Sequence, residues 1–388
     1  MTSVDMSRCK IGLALSGGGV RAIAFHAGVL QWLAQNKLLE KIGHISSVSG
    51  GSLFTGLLFQ WAINQWPISD QYTKDILPFI RSLLTSQSLQ SDALCRLLFN
   101  PLNWRFIFSR ANILAKSIEE GWGISSTLDQ LPNYPLWSIN GTTAENGRRF
   151  RFKGSKIGDY EIGYAEAGKF KLAEAMAVSA AFPGGIGPFS LDATRYQWRK
   201  REQWDSTKPD EIIKHKYETL HLYDGGVYDN LGLEPLFDTG QQILKNNPDG
   251  YVDFLIVSDA GAPFSRGIIP GPFNLCRLKR VADVAFDQAR SLRVRSYVNF
   301  LKNNPSAGMY LQIGSDPISC INRYTQACDS QRLKSEYNWL STKEISAAVA
   351  YKTTLARMNV SDFDLITRHG YETALWNEEI FLQAKEGE

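Results

Sequence analysis

The sequence has no run of 18 apolar residues, so no stretch of it is expected to cross a membrane as a helix. Its first ten residues place no apolar segment behind a positive charge, which argues against a secretory leader. The five cysteines (Cys9, Cys95, Cys276, Cys320 and Cys328) are scattered, odd in number and form no CxxC pair. Neither a metal site nor a disulfide framework is expected, and a reducing cytoplasm is the simplest compartment. A large excess of charge is also missing, with a net +3 over 388 residues. That balance neither demands nor excludes a nucleic-acid partner, and none is expected. What is present is a globular composition, 44% apolar and 21% charged, long enough to bury a core without covalent staples.

The first 70 residues alternate strand and helix. Ile11 to Leu15 is a short apolar run ending in Ser-Gly-Gly-Gly, and Ala22 to Gln35 has helical spacing with Ile23, Ala27, Leu30 and Leu33 on one face. Ile42 to Val48 suits a second strand, and Leu53 to Trp66 a buried helix stopped by Pro67. This order implies an α/β fold with a central, mainly parallel sheet flanked by helices. Residues 68–137 interrupt it as a lid or insertion. Trp137 to Asn140 and Arg148 to Lys153 read as a hairpin through Asn146-Gly147. Residues 191–218 read as an exposed polar excursion, Leu220 to Tyr223 as a short strand, and Phe254 to Val257 as a strand buried on both faces. Beyond 275 the chain reads as mainly helical.

Three motifs carry chemistry. Ser47-Val48-Ser49-Gly50-Gly51 lies where a strand meets a helix, a turn that exposes a nucleophilic serine at the carboxyl end of a sheet. Gly51 supplies the small neighbour such a turn needs. Ser47 stands where a glycine is usual and is expected to crowd it. Gly17-Gly18-Gly19-Val20-Arg21, again between strand and helix, converges backbone N–H groups on one point, which suits an oxyanion or a bound phosphate. Arg21 either braces that loop or meets an anionic headgroup. The same loop fits Gly17-x-Gly19-x-x-Ala22, a loose dinucleotide fingerprint with Glu40 as its ribose acid, so taken alone it leaves nucleotide binding open. Asp224-Gly225-Gly226 follows a short strand and by itself makes a good surface turn.

In this order the three motifs resemble those of the patatin-like phospholipases, a family similar to cytosolic phospholipase A2. Ser179-Ala180-Ala181-Phe182-Pro183 is similar to a fourth segment of that family. The resemblance covers about residues 10–240 and implies a three-layer patatin-like core, with 241–388 continuing and completing the fold. It implies lipid acyl hydrolysis of phospholipase A or lysophospholipase type through a Ser–Asp dyad, Ser49 and Asp224. Gly17, Gly18 and Gly19 would form the oxyanion hole, supported by Arg21, Gly51, Gly225 and Gly226, with no cofactor. The substrate would be a phospholipid or another acyl lipid.

None of the five histidines (His26, His44, His215, His221, His369) lies in a motif, which suits a dyad. Asp259, at the end of the 254–257 strand, is the rival carboxylate for the base. Arg96 to Lys116 mixes aromatics, leucines and basic residues, which suits a membrane interface, a lid or plain core. The basic clusters 198–201 and 290–295 are candidates for anionic headgroups. Besides nucleotide binding, a signal-activated, membrane-degrading effector is an alternative reading. Oligomeric state is not legible.

Overall fold

The computed structural model describes residues 6–382, apart from 184, 202–209, 246–250, 265–266, 268–270, 272–273 and 275. Five parallel strands form the centre of its main sheet. In spatial order these are β14 (Gly308–Gln312), β13 (Phe254–Asp259), β1 (Ile11–Leu15), β2 (Ile42–Ser47) and β3 (Leu136–Thr143). Beyond β3 the sheet continues antiparallel through β4 (Arg149–Lys153), β5 (Lys156–Asp159), β6 (Gly163–Glu166), β8 (Trp198–Lys200) and β9 (Glu211–Ile212). Two further strands, β7 (Phe189–Asp192) and β10 (Thr219–Asp224), branch from β3. A separate ribbon pairs β11 (Phe237–Asp238) with β12 (Ile243–Leu244).

Strands β1, β2 and β13 are buried along their whole lengths, as strands covered on both faces must be. Helices supply the cover. The amino-terminal pair is α1 (Gly19–Gln35) and α2 (Gly50–Trp61). The insertion carries α3 (Ser69–Gln71), α4 (Leu77–Ser86), α5 (Leu89–Phe99) and α6 (Ala111–Lys116). Then come α7 (Leu172–Ser179), α8 (Gly226–Asp229) and the long α9 (Cys276–Asn303). The last four are α10 (Pro317–Tyr324), α11 (Ala327–Glu336), α12 (Thr342–Ala350) and α13 (Val360–Phe381). Among the described residues no helix is long and apolar enough to cross a membrane.

Several sequence expectations need correction. Helix α1 is buried nearly all round instead of on one face, because α13 packs so closely that a Cβ at Gly28 would lie 1.8 Å from the Thr367 carbonyl oxygen. Helix α2 begins at Gly50 and ends at Trp61, five residues short of the expected end. Ile63 and Asn64 turn left-handed (φ 53° and 58°), and the Asn64 amide closes the turn on the Phe59 carbonyl. Residues 191–218 are not all an excursion: β8 extends the sheet, and Trp198 is buried with its indole N–H on the Ala193 carbonyl. Part of that stretch, 202–209, lies outside the described residues. Strand β14 was not expected in the helical tail. It pairs parallel to β13, so residues after 250 contribute two strands to the same sheet.

Candidate active site

Strand β3 is longer than its neighbour β2, and this brings Ser49 and Asp224 together. Residues 136–139 of β3 pair with β2, ending at the Ser47–Ile139 register. There β2 turns away into the elbow. The vacated edge of β3 is taken by β10 running the opposite way, with Asp224 opposite Gly141. The ends of β2 and β10 therefore face each other along one strand, two residues apart in register.

Ser49 sits at φ 50° and ψ −118°, an uncommon backbone for a residue with a side chain, and caps the start of α2. The turn closes because a Cβ at Gly51 would stand 2.4 Å from the Leu15 carbonyl oxygen, so only glycine fits. The expected crowding at Ser47 does not occur. Its hydroxyl receives the Trp137 indole N–H at 2.8 Å and meets the Ser52 hydroxyl at 2.8 Å. Ser52 in turn meets the Ser179 hydroxyl at 2.8 Å, and Ser179 donates to the Asn140 carbonyl at 2.7 Å. Each hydroxyl has one proton, so that last bond sets the direction of the chain: Ser47 donates to Ser52 and Ser52 to Ser179. Polar atoms buried beneath the elbow are thereby paired.

The Asp224 carboxyl is buried, accepts the Gly226 amide at 2.6 Å and faces the Ser49 hydroxyl, which favours its ionised form. Burial raises its pKa to about 7, against the lowering effect of those two donors. The Asp224 backbone is fixed by its own amide on the Ala181 carbonyl and by Thr142, whose hydroxyl donates to the Asp224 carbonyl. Gly225 follows with its amide on the Ser179 carbonyl.

The glycine loop supplies two free donors, not three. The Gly17 amide is engaged by the Asn230 carbonyl at 3.1 Å, and the Val20 amide by the Thr354 carbonyl at 2.9 Å. Among the described residues the amides of Gly18 and Gly19 between them have no acceptor. Gly19 needs its φ of 62° and its missing side chain, since a Cβ would lie 2.3 Å from the Thr354 oxygen. Arg21 is the brace. It is 1% exposed and donates to the carbonyls of Ala260, Val349 and Tyr351 and to the Thr353 hydroxyl. It is closed off from any headgroup. Glu40, the acid of the nucleotide reading, holds the Ser69 amide and hydroxyl, both at 2.7 Å.

The rival carboxylate is engaged elsewhere. Asp259 is fully buried, ion-paired with Arg290 at 2.5 Å and hydrogen-bonded by the Tyr310 hydroxyl at 2.6 Å. Arg293 lies 3.4 Å from buried Asp229, so the 290–295 cluster turns two arginines inward instead of toward a membrane. His26 is buried between the Ser258 hydroxyl and the Ser16 carbonyl, its pKa lowered by burial to about 4. His44 meets Ser138, His215 the Tyr217 carbonyl, His221 Glu145, and His369 the Gly314 amide.

Ser49, Asp224 and the Gly17–Gly19 loop open on one cavity of about 780 Å³ with mainly apolar walls. Leu94, Leu97, Ile113 and Leu114 of the insertion wall one side, and no histidine lines it. Sequence reasoning missed Ser179 as a pairing point, Asn230 as a loop partner and the 349–355 strap. The Ser-Ala-Ala-Phe-Pro segment was a signal for the first; the other two have no motif.

Fold and site together define an α/β protein with a serine on a strand–helix elbow and a buried aspartate beside it. The chain belongs to the patatin-like phospholipase family, whose sequence profile matches residues 13–237, more than half of it. No curated protein matches it by sequence. Among solved structures, human GIVD cytosolic phospholipase A2 superposes at TM-score 0.51 with 12% identity, covering 96% of this chain and 61% of that one. VipD from Legionella pneumophila matches at TM-score 0.31 and 12% identity over 98% and 92% of the two chains. The chain thus spans under two thirds of the human enzyme's length, and at 12% identity the likeness is one of fold.

Proposed function

We propose that this protein is a lipid acyl hydrolase of phospholipase A or lysophospholipase type, working through Ser49 and Asp224. The observation that carries the reading is the placement of the Ser49 hydroxyl beside a buried carboxyl, both on one apolar cavity, with burial raising that carboxyl's pKa to about 7. A base is most effective when its pKa lies near the working pH. Asp224 takes the Ser49 proton as the serine oxygen attacks the ester carbonyl. The amides of Gly18 and Gly19 receive the oxyanion, each such donor being worth roughly 2.7–4 kcal/mol of barrier. Collapse expels the alcohol, which regains the proton from Asp224 and leaves the acyl group on Ser49. Water, deprotonated by Asp224, then releases the fatty acid and restores the serine.

The apolar cavity suits an acyl chain, and the substrate is a phospholipid or related acyl lipid reached by peripheral membrane contact. In this reading residues 241–388 complete the catalytic core, because the strap at 349–355 holds the oxyanion loop. A serine-directed fluorophosphonate probe tests the assignment. It labels the wild type and fails on Ser49→Ala; equal labelling of both overturns the nucleophile. Titration with NAD or ATP addresses the nucleotide reading, which Glu40's engagement at Ser69 disfavours.

A further inference from the structure

Residues 98–109 of the insertion are built inside out. Asn103 and Ser109 are buried, whereas Leu98, Phe99, Leu102, Trp104, Ile107 and Phe108 are exposed, Phe99 by 82% and Phe108 by 87%. Six large apolar side chains within eleven residues form the kind of patch that soluble surfaces rarely leave open. The loop presenting them is held by defined bonds. Asn100 caps the turn at the Leu102 amide, and the Asn103 side chain bonds both the Arg96 carbonyl and the Lys116 ammonium. The apolar side chains are therefore displayed by a fixed scaffold.

Charge identifies what would cover them. Between Asp92 and Glu119 there is no acidic residue, but there are four cations, Arg96, Arg105, Arg110 and Lys116. Arg96 is neutralised by Asp92 and Glu120. Arg105 lies 4.6 Å over the Phe106 ring, and neither Arg105 nor Arg110 has a carboxylate partner among the described residues. Aromatic and aliphatic side chains among unpaired cations match the boundary between acyl chains and anionic headgroups. A second copy of the chain is a poorer fit, since a two-fold contact sets the same cations against each other.

We propose that residues 98–110 dock on an anionic lipid bilayer and set the cavity mouth against it. The inference rests on the hydrolase reading for its purpose, though not for its geometry. Helix α5 joins the two surfaces: Leu94 and Leu97 wall the cavity, and Leu98 and Phe99 lie outside. A lipid reaching Ser49 along this helix leaves the bilayer without crossing water.

The test uses the full chain and vesicles of phosphatidylglycerol and phosphatidylcholine. Wild type co-sediments with the mixed vesicles, and Phe99→Ser/Phe108→Ser binds at least about tenfold more weakly, as expected when two phenyl rings lose their apolar surroundings. Arg105→Glu weakens binding to the anionic vesicles without altering the weak binding to pure phosphatidylcholine. Hydrolysis of a water-soluble short-chain ester is unchanged in all these variants. Equal vesicle binding by the Phe99/Phe108 variant, no vesicle binding by wild type, or a wild-type dimer that this variant dissolves overturns the proposal. Failure of the hydrolase reading looks different: Ser49 then goes unlabelled while vesicle binding persists.

Discussion

The Ser49 amide donates to both the hydroxyl oxygen of Ser179, at 3.0 Å, and its carbonyl oxygen, at 3.1 Å. The same Ser179 carbonyl takes the Gly225 amide at 3.3 Å. One residue at the end of α7 thus ties the serine elbow to the aspartate turn. The two come from strands far apart in sequence, and nothing local fixes their spacing.

Ser179→Ala removes the hydroxyl half of that tie and leaves Ser52 without its acceptor. The expected result is a kcat lowered by about 10- to 100-fold with KM little changed, because small misplacements at a reacting centre have effects of that order. Steady-state kinetics on a soluble ester, with a melting curve to show that the fold persists, measure it. A fall in melting temperature with kcat intact would mark Ser179 as merely structural.

In the proposed mechanism Asp224 sets the pH response. The base must be ionised, so kcat/KM rises with pH through an apparent pKa of about 7 and levels off above it. The rival source of such a profile is a histidine, but His26 is held neutral by burial, and His221, bonded to Glu145, lies outside the cavity lining. His221→Gln leaves the midpoint in place. A shifted midpoint in that variant would assign the ionisation to the histidine.

The same raised pKa links to stability. In the unfolded chain Asp224 loses its proton near pH ~3.9. The folded protein keeps it up to about pH 7. The folded state therefore holds the extra proton between these values. That stabilising contribution is complete below pH ~4 and is lost as pH rises through about 7. Asp224→Asn abolishes the titration. It melts roughly 2–5 °C above wild type at pH 8.5 and close to it at pH 4. Melting curves across this range check both ends.

Asp259 and Asp224 separate by substitution. Asp224→Asn loses hydrolysis by at least about a thousandfold, in line with removal of a general base and its hydrogen bond. Asp259→Asn leaves Arg290 buried without its counter-charge, at a cost of about 3 kcal/mol in stability, and retains most of the hydrolysis. The opposite pattern in denaturant titrations and esterase assays would make Asp259 the base.

Gly19→Ala tests the strap. The new methyl meets the Thr354 oxygen at 2.3 Å in a backbone conformation unfavourable for alanine. Either the Gly17–Gly19 loop or residues 349–355 must move. The expected outcome is a fall in turnover of about a hundredfold or more, with fluorophosphonate labelling slowed in proportion.

The sequence by itself determined the alternation of β1, α1, β2 and α2 and the places of the serine, the glycine loop and Asp224. These are local matters of apolar periodicity and of backbone that only glycine can adopt at certain turns. It also carried the family resemblance, through four short motifs in order. The tertiary structure decided what depends on distant contacts. It committed Asp259 to Arg290 and left Asp224 beside Ser49, a distinction that two aspartates at strand ends do not encode locally. It engaged the Gly17 amide through Asn230 and buried Arg21 under the strap, which reduced the expected donor set and removed a headgroup ligand. Ser49 and Asp224 meet because β3 outruns β2 and gives its free edge to β10, and strand length relative to a neighbour exists only once the sheet has formed.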